Sequence, residues 1–109
     1  MAENWPDYPA IRHVVECALH RRNIKLTCRR CRHIRIFQPH GLWWLFERRR
    51  WDDALKLVPS RFWCSRCAMV APKKIKNPEL ELTREAPTGE PLPMPEERAW
   101  KKIVSRYRS

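Results

Sequence analysis

The chain has 109 residues, with 23 Lys and Arg against 12 Asp and Glu, and a formal net charge of +11. That length holds one domain with tails rather than two separate cores. The nearly uninterrupted apolar run over residues 42–46 is far too short to span a bilayer, which excludes a membrane-spanning class. No basic stretch followed by an apolar run opens the chain, so no export signal is expected. The expected setting is the cytoplasm, or the nucleus of a eukaryotic cell, where thiols stay reduced.

In chain order, the first signal is an amphipathic helix over residues 10–20, with Pro9 suited to its first turn. Ile11, Val14, Val15, Ala18 and Leu19 recur at three- and four-residue steps, and Arg12, Glu16 and His20 take the other face. Arg21 and Arg22 complement the dipole at its end. Cys17 falls near the apolar stripe and reads as a small buried residue. Short β-like arms over 24–27 and 34–37 then flank Cys28-Arg29-Arg30-Cys31.

Pro39-His40-Gly41 breaks the second arm, and residues 42–50 read as a short helix with Leu42, Leu45 and Phe46 on one face. Trp51-Asp52-Asp53 restarts the chain, with an acid able to cap a second helix that runs to Val58 before Pro59. Trp43, Trp44, Trp51 and Trp63 supply a large apolar surface, expected to form the core over the site below. A second pair of β-like arms, 61–63 and 68–70, flanks Cys64-Ser65-Arg66-Cys67. The composition of residues 77–95, with Pro78, Pro87, Pro91, Pro93, Pro95 and several acids, describes an extended acidic linker. Residues 96–109 start with acids and end in cations, as a helix does, and Ala99, Trp100, Ile103, Val104 and Tyr107 form one stripe on it.

The two Cys-x-x-Cys pairs, with 32 residues between them, are the most specific feature. A two-residue spacer lets a tight turn point both sulfurs at one ion, and four soft thiolates suit tetrahedral Zn²⁺. The expectation is one structural Zn²⁺ held by Cys28, Cys31, Cys64 and Cys67. Four thiolates close the coordination shell, which leaves no open position for catalysis. His33 and His40 are the alternative ligands nearest the pairs and read instead as exposed strand and loop residues, while His13 and His20 read as helix-surface residues. A redox dithiol expects one motif at a helix start inside a βαβ unit, a pattern that neither pair shows. The packed region also holds too few acids for a Ser/His/Asp or paired-carboxylate site, so no enzyme is expected.

Residues 26–69 resemble small uncharacterised zinc-ribbon-like proteins of α-proteobacteria, a group with no firm activity to lend. The resemblance rests on Thr27-Cys28-Arg29-Arg30-Cys31-Arg32-His33, Trp51-Asp52-Asp53-Ala54-Leu55 and Arg61-Phe62-Trp63-Cys64-Ser65-Arg66-Cys67. It implies a bacterial cytoplasmic zinc protein. One departure is local: zinc ribbons usually place Gly just after the second cysteine of each pair, where φ is often positive. Here Arg32 and Ala68 stand there.

Charge is concentrated. Residues 21–76 carry 16 Lys and Arg against Glu47, Asp52 and Asp53, a net of +13, whereas residues 77–97 carry a net of −5. So basic a segment attracts polyanions, of which nucleic acid is the commonest in a cell. The expected phosphate-contacting residues are Arg29, Arg30, Arg32, Arg35, Arg48, Arg49, Arg50, Arg61 and Arg66.

The sequence thus describes a small α+β chain. A zinc-ribbon-like four-cysteine domain over residues 1–76 has an N-terminal helix and a helical insert between the pairs. A flexible linker over 77–95 and an amphipathic C-terminal helix over 96–109 follow. The expected function is non-catalytic binding of DNA or RNA, as an accessory regulator. The alternative is a protein-interaction adaptor working through the Trp-rich insert or through Trp100 and Ile103. No membrane and no small-molecule substrate are expected.

Overall fold

The computed structural model describes residues 11–70 and 74–108. Pro9, expected at the first turn of the first helix, lies outside them. The fold is a small α+β arrangement. α1 (Val14–Leu19) leads to β1 (Asn23–Thr27) and β2 (Ile34–Phe37), followed by α2 (Pro39–Arg49) and a 3₁₀ turn, Val58–Arg61. α3 (Ser65–Val70), β3 (Glu79–Thr83) and α4 (Glu97–Arg108) complete it. The sheet is antiparallel in the order β2-β1-β3. Among the described residues no helix is long and apolar enough to cross a membrane.

Alternation of side chains along β1 sets which face is buried. Ile24 and Leu26 point into the core, while Lys25 pairs with Glu85 at 3.0 Å on the other face. Val14, Val15 and Cys17 of α1, Phe37 of β2, Leu42, Trp43 and Phe46 of α2, and Val58 complete one apolar cluster with them. α2 starts with Pro39 at its first position, and the Gln38 side chain accepts from the Gly41 N–H at 2.9 Å. It ends where Arg50 turns left-handed, at φ 58°.

The helix expected over residues 51–58 does not form, because its backbone is used elsewhere. The Asp53 carbonyl accepts from Val14 N–H at 3.0 Å, and Leu55 N–H donates to the Arg12 carbonyl at 2.7 Å. Asp53 caps a helix, but that helix is α1: its carboxylate accepts from Val15 N–H at 3.1 Å. The β-like arms expected around Cys64 are also corrected. Pro59 sits in the 3₁₀ turn before it, and residues after it are helical. Trp63 alone makes a strand-like bridge, to Lys76.

The stretch expected as a flexible linker is ordered along the sheet. Glu79-Leu80-Glu81-Leu82-Thr83 alternates acid and leucine, pairs with the whole of β1, and turns Leu80 and Leu82 to the core. The chain then rounds the sheet to the opposite edge, where Thr88 and Ile36 exchange two hydrogen bonds of 2.9 Å. Gly41 lets the returning chain cross α2, since a Cβ there would lie 3.0 Å from the Leu92 Cβ.

α4 begins within a residue of the expected position. Its stripe faces this chain's own core. Ala99, Trp100 and Ile103 pack against the cluster, and the Trp100 ring meets His40 at 4.5 Å and Trp43 at 5.4 Å, both edge to face. The apolar face expected to meet a partner through Trp100 and Ile103 is therefore taken up within the fold.

Candidate metal centre

Two local structures carry the four cysteines to one point. β1 runs straight into Cys28, and the chain reverses through Arg29–Cys31 before entering β2. Cys28 N–H donates to the His33 carbonyl at 2.9 Å, and Arg32 N–H donates to the Cys28 carbonyl at 3.1 Å. Arg32 has φ 64°, the left-handed conformation that a glycine usually supplies. The knuckle therefore closes without glycine, with strain placed on Arg32. Arg30 N–H points at the Cys28 sulfur, 3.4 Å away.

The second pair lies on a helix start. Cys64 immediately precedes α3, and its carbonyl accepts from Ala68 N–H at 3.1 Å. Its sulfur accepts from Cys67 N–H at 3.4 Å, as a capping side chain does. Ala68 is helical, so the position after this pair needs no left-handed residue. Cys64 N–H donates to the Ile75 carbonyl, and the Ile75 side chain covers the cysteines.

The four sulfurs lie within 4.8 Å of one another, with Cys28 to Cys67 at 3.8 Å and Cys31 to Cys64 at 3.5 Å. Cys28, Cys64 and Cys67 are buried and Cys31 is exposed. A regular tetrahedron of thiolates with metal–sulfur bonds of about 2.3 Å has edges of about 3.8 Å. The donor set thus fits a metal ion in both chemistry and spacing. Without a cation the sulfurs titrate against one another. Burial opposes ionisation of Cys28, but backbone N–H groups at Cys31 and Arg30 and the neighbouring thiols outweigh it and bring its pKa down to about 6. Burial, hydrogen bonding among the cysteines and the Cys28 charge push Cys67 up to about 12. A bound cation offsets the repulsion that separates them.

The histidines and Cys17 stay outside this group. His40 is held by Gln38 and Trp100, and burial lowers its pKa. Cys17 is fully buried in the core, and burial, with the charges of Glu16 and Asp53, raises its thiol to about 12. A second grouping, His13 with Asp52 and Asp53, is occupied by the fold: Asp52 accepts from Ala54 N–H, Asp53 caps α1, and His13 meets Glu16.

The nine arginines differ in how they are held. Glu79 lies 3.1 Å from Arg32 and 3.9 Å from Arg29, while Arg35 is half-buried and donates to the Glu90 carbonyl at 2.9 Å. Arg30, Arg50 and Arg66 are exposed and make no ion pair among the described residues. Arg48 stands over the Trp44 ring, and Arg49 and Arg61 both stand over Trp51, at 5.5 and 4.6 Å. The period-two alternation of residues 79–83 is the signal that reveals Glu79 as a partner of the first knuckle. Comparison of the chain with protein-family models, with curated proteins and with solved structures finds no match, and the reading of the centre rests on these residues alone.

Proposed function

We propose that the chain is a non-catalytic nucleic-acid-binding protein whose fold is stabilised by one structural Zn²⁺ on Cys28, Cys31, Cys64 and Cys67. Four thiolates at near-tetrahedral spacing favour zinc over a hard cation, and they fill its coordination shell. The first half of the centre is ribbon-like, a knuckle between two strands; the second is a helix start. The zinc fixes the ends of β1 and α3 and so holds the neighbouring arginines in place. The expected setting is a reducing compartment such as the cytoplasm, which keeps these thiols available.

The observation that carries the binding reading is the pair Arg49 and Arg61, both standing over one tryptophan ring and free of carboxylate partners among the described residues. A cation–π contact restrains each guanidinium while leaving its planar N–H fork for phosphate oxygens. Arg48, Arg50, Arg66 and Arg30 extend the positive surface, and Arg29 and Arg32 contribute less because Glu79 answers them. The adaptor reading loses its helix, since Trp100 and Ile103 are already packed.

A salt titration with a short labelled nucleic acid tests the proposal. Binding through several phosphates weakens linearly in log–log form as salt rises. Affinity that is absent at low salt, or indifferent to salt, overturns it.

A further inference from the structure

A large cleft of about 640 Å³ lies beside the metal centre, within the range of small-ligand sites. Cys28 and Cys64 lie at its wall, so the same cluster that would hold the metal shapes one end of it. Trp51, Phe62 and Trp63 line it, together with Arg35, Arg49 and Arg61, and no Asp or Glu is among its described lining residues. Trp63 is 49% exposed, an unusual loss of burial for an indole in so small a domain, and the Lys74 ammonium stands over one face of its ring, 4.3 Å from the centroid.

An apolar, ring-lined cleft bordered by arginines and free of carboxylates suits a ligand that is flat on its faces and anionic at its edge. We infer that this cleft takes an unpaired base of a single-stranded nucleic acid, with Trp63 as a stacking face and Arg49 and Arg61 on the adjoining phosphates. This deepens the binding reading above and rests on it. A base within a duplex is already stacked and paired, and entering a cleft would require flipping it out. A single strand offers its bases at no such cost, and base–aromatic stacking tolerates any sequence. The expected partner is therefore a single strand with little sequence preference.

The test compares three labelled probes on the zinc-loaded full chain at one salt concentration. They are a short oligothymidine, the same backbone without bases, and a duplex of equal length. The inference expects oligothymidine to bind about tenfold more tightly than either of the others, the gain from stacking a base. Trp63→Ala should erase that preference while leaving salt-dependent binding to the abasic strand. Equal binding of oligothymidine and the abasic strand by the wild-type chain overturns the inference yet leaves the phosphate-binding reading standing. Preference for the duplex overturns it as well. Binding of none of the three defeats both. Because the deciding comparison uses the wild-type chain, it does not depend on how Trp63→Ala folds.

Discussion

The two Cys-x-x-Cys pairs share a spacing and differ in almost everything else. The first is a turn between strands, closed by Arg32 in the left-handed region; the second is the first turn of α3, with Cys64 capping and Ala68 helical. The residues that follow decide which occurs. After Cys31 come Ile34-Arg35-Ile36-Phe37, β-branched and aromatic with a period of two, which pair with β1. After Cys64 come Ser65-Arg66-Cys67-Ala68-Met69, which hold no such period and include good helix formers. A metal-ligand motif therefore specifies where two sulfurs go without specifying the backbone that takes them there.

The largest effect should come from removing the element the two halves share. Metal binding in small zinc domains is worth about 10 kcal/mol or more of folding free energy. Cys64→Ser, or stripping the metal with a chelator, should therefore abolish the cooperative melting transition seen by circular dichroism. An unchanged transition would mean that the apolar cluster alone holds the fold.

Acid should have the next largest effect. Ligand sulfurs must shed their protons, so metal uptake competes with protonation. Cys28, lowered to about 6, is the thiol most ready to bind in the metal-free chain, while Cys67, raised to about 12, releases its proton to solvent only when the ion displaces it. As pH falls through about 6 even Cys28 is protonated, and metal affinity should drop more steeply below that value than above it. A chromophoric chelator titrated across pH reads this directly, and an affinity flat from neutral pH to well below the Cys28 value would contradict it.

Glycine scanning should separate the halves by sign. Arg32→Gly relieves a left-handed side chain and should stabilise by about 0.5–1 kcal/mol, less what its exposed pair with Glu79 contributes. Ala68→Gly puts glycine inside a helix and should destabilise by about 1 kcal/mol. Chemical denaturation of both variants checks it; shifts of the same sign would mean that the halves are not structurally distinct.

The smallest difference is in ligand binding. Glu79 answers Arg29, whereas Arg66 has no ion pair among the described residues. Arg66→Ala should weaken nucleic-acid binding by a few-fold, reducing the salt slope by about one, and Arg29→Ala should do less. The reverse order would place the binding face on the first knuckle.

Most of what is local was legible in the sequence: the cysteine spacing, the stripes of α1, α2 and α4, and the arms of the first hairpin. Long-range partners account for the rest. Residues 51–58 carry a helical pattern, yet residues 53–55 bond to the strand-like stretch before α1, and a backbone group cannot serve both. An acid in Trp51-Asp52-Asp53 was recognisable as a cap, but nothing local shows that Asp53 caps a helix from 38 positions away. Residues 79–83 contain the alternation of a strand, hidden by surrounding prolines and acids that suggest a solvated linker. Those acids are matched to Lys25, Arg29 and Arg32, and that match exists only after β1 and β3 pair. Trp100 reads equally well as a docking residue until His40 and Trp43 are placed beneath it.

Native mass spectrometry of the purified chain, prepared without added metal, tests the central claim most directly. The account predicts one zinc ion per chain, released when the sample is acidified because protons displace the metal from its thiolates. A chain that carries no metal, or in which Cys28, Cys31, Cys64 and Cys67 are found as disulfides, would contradict it.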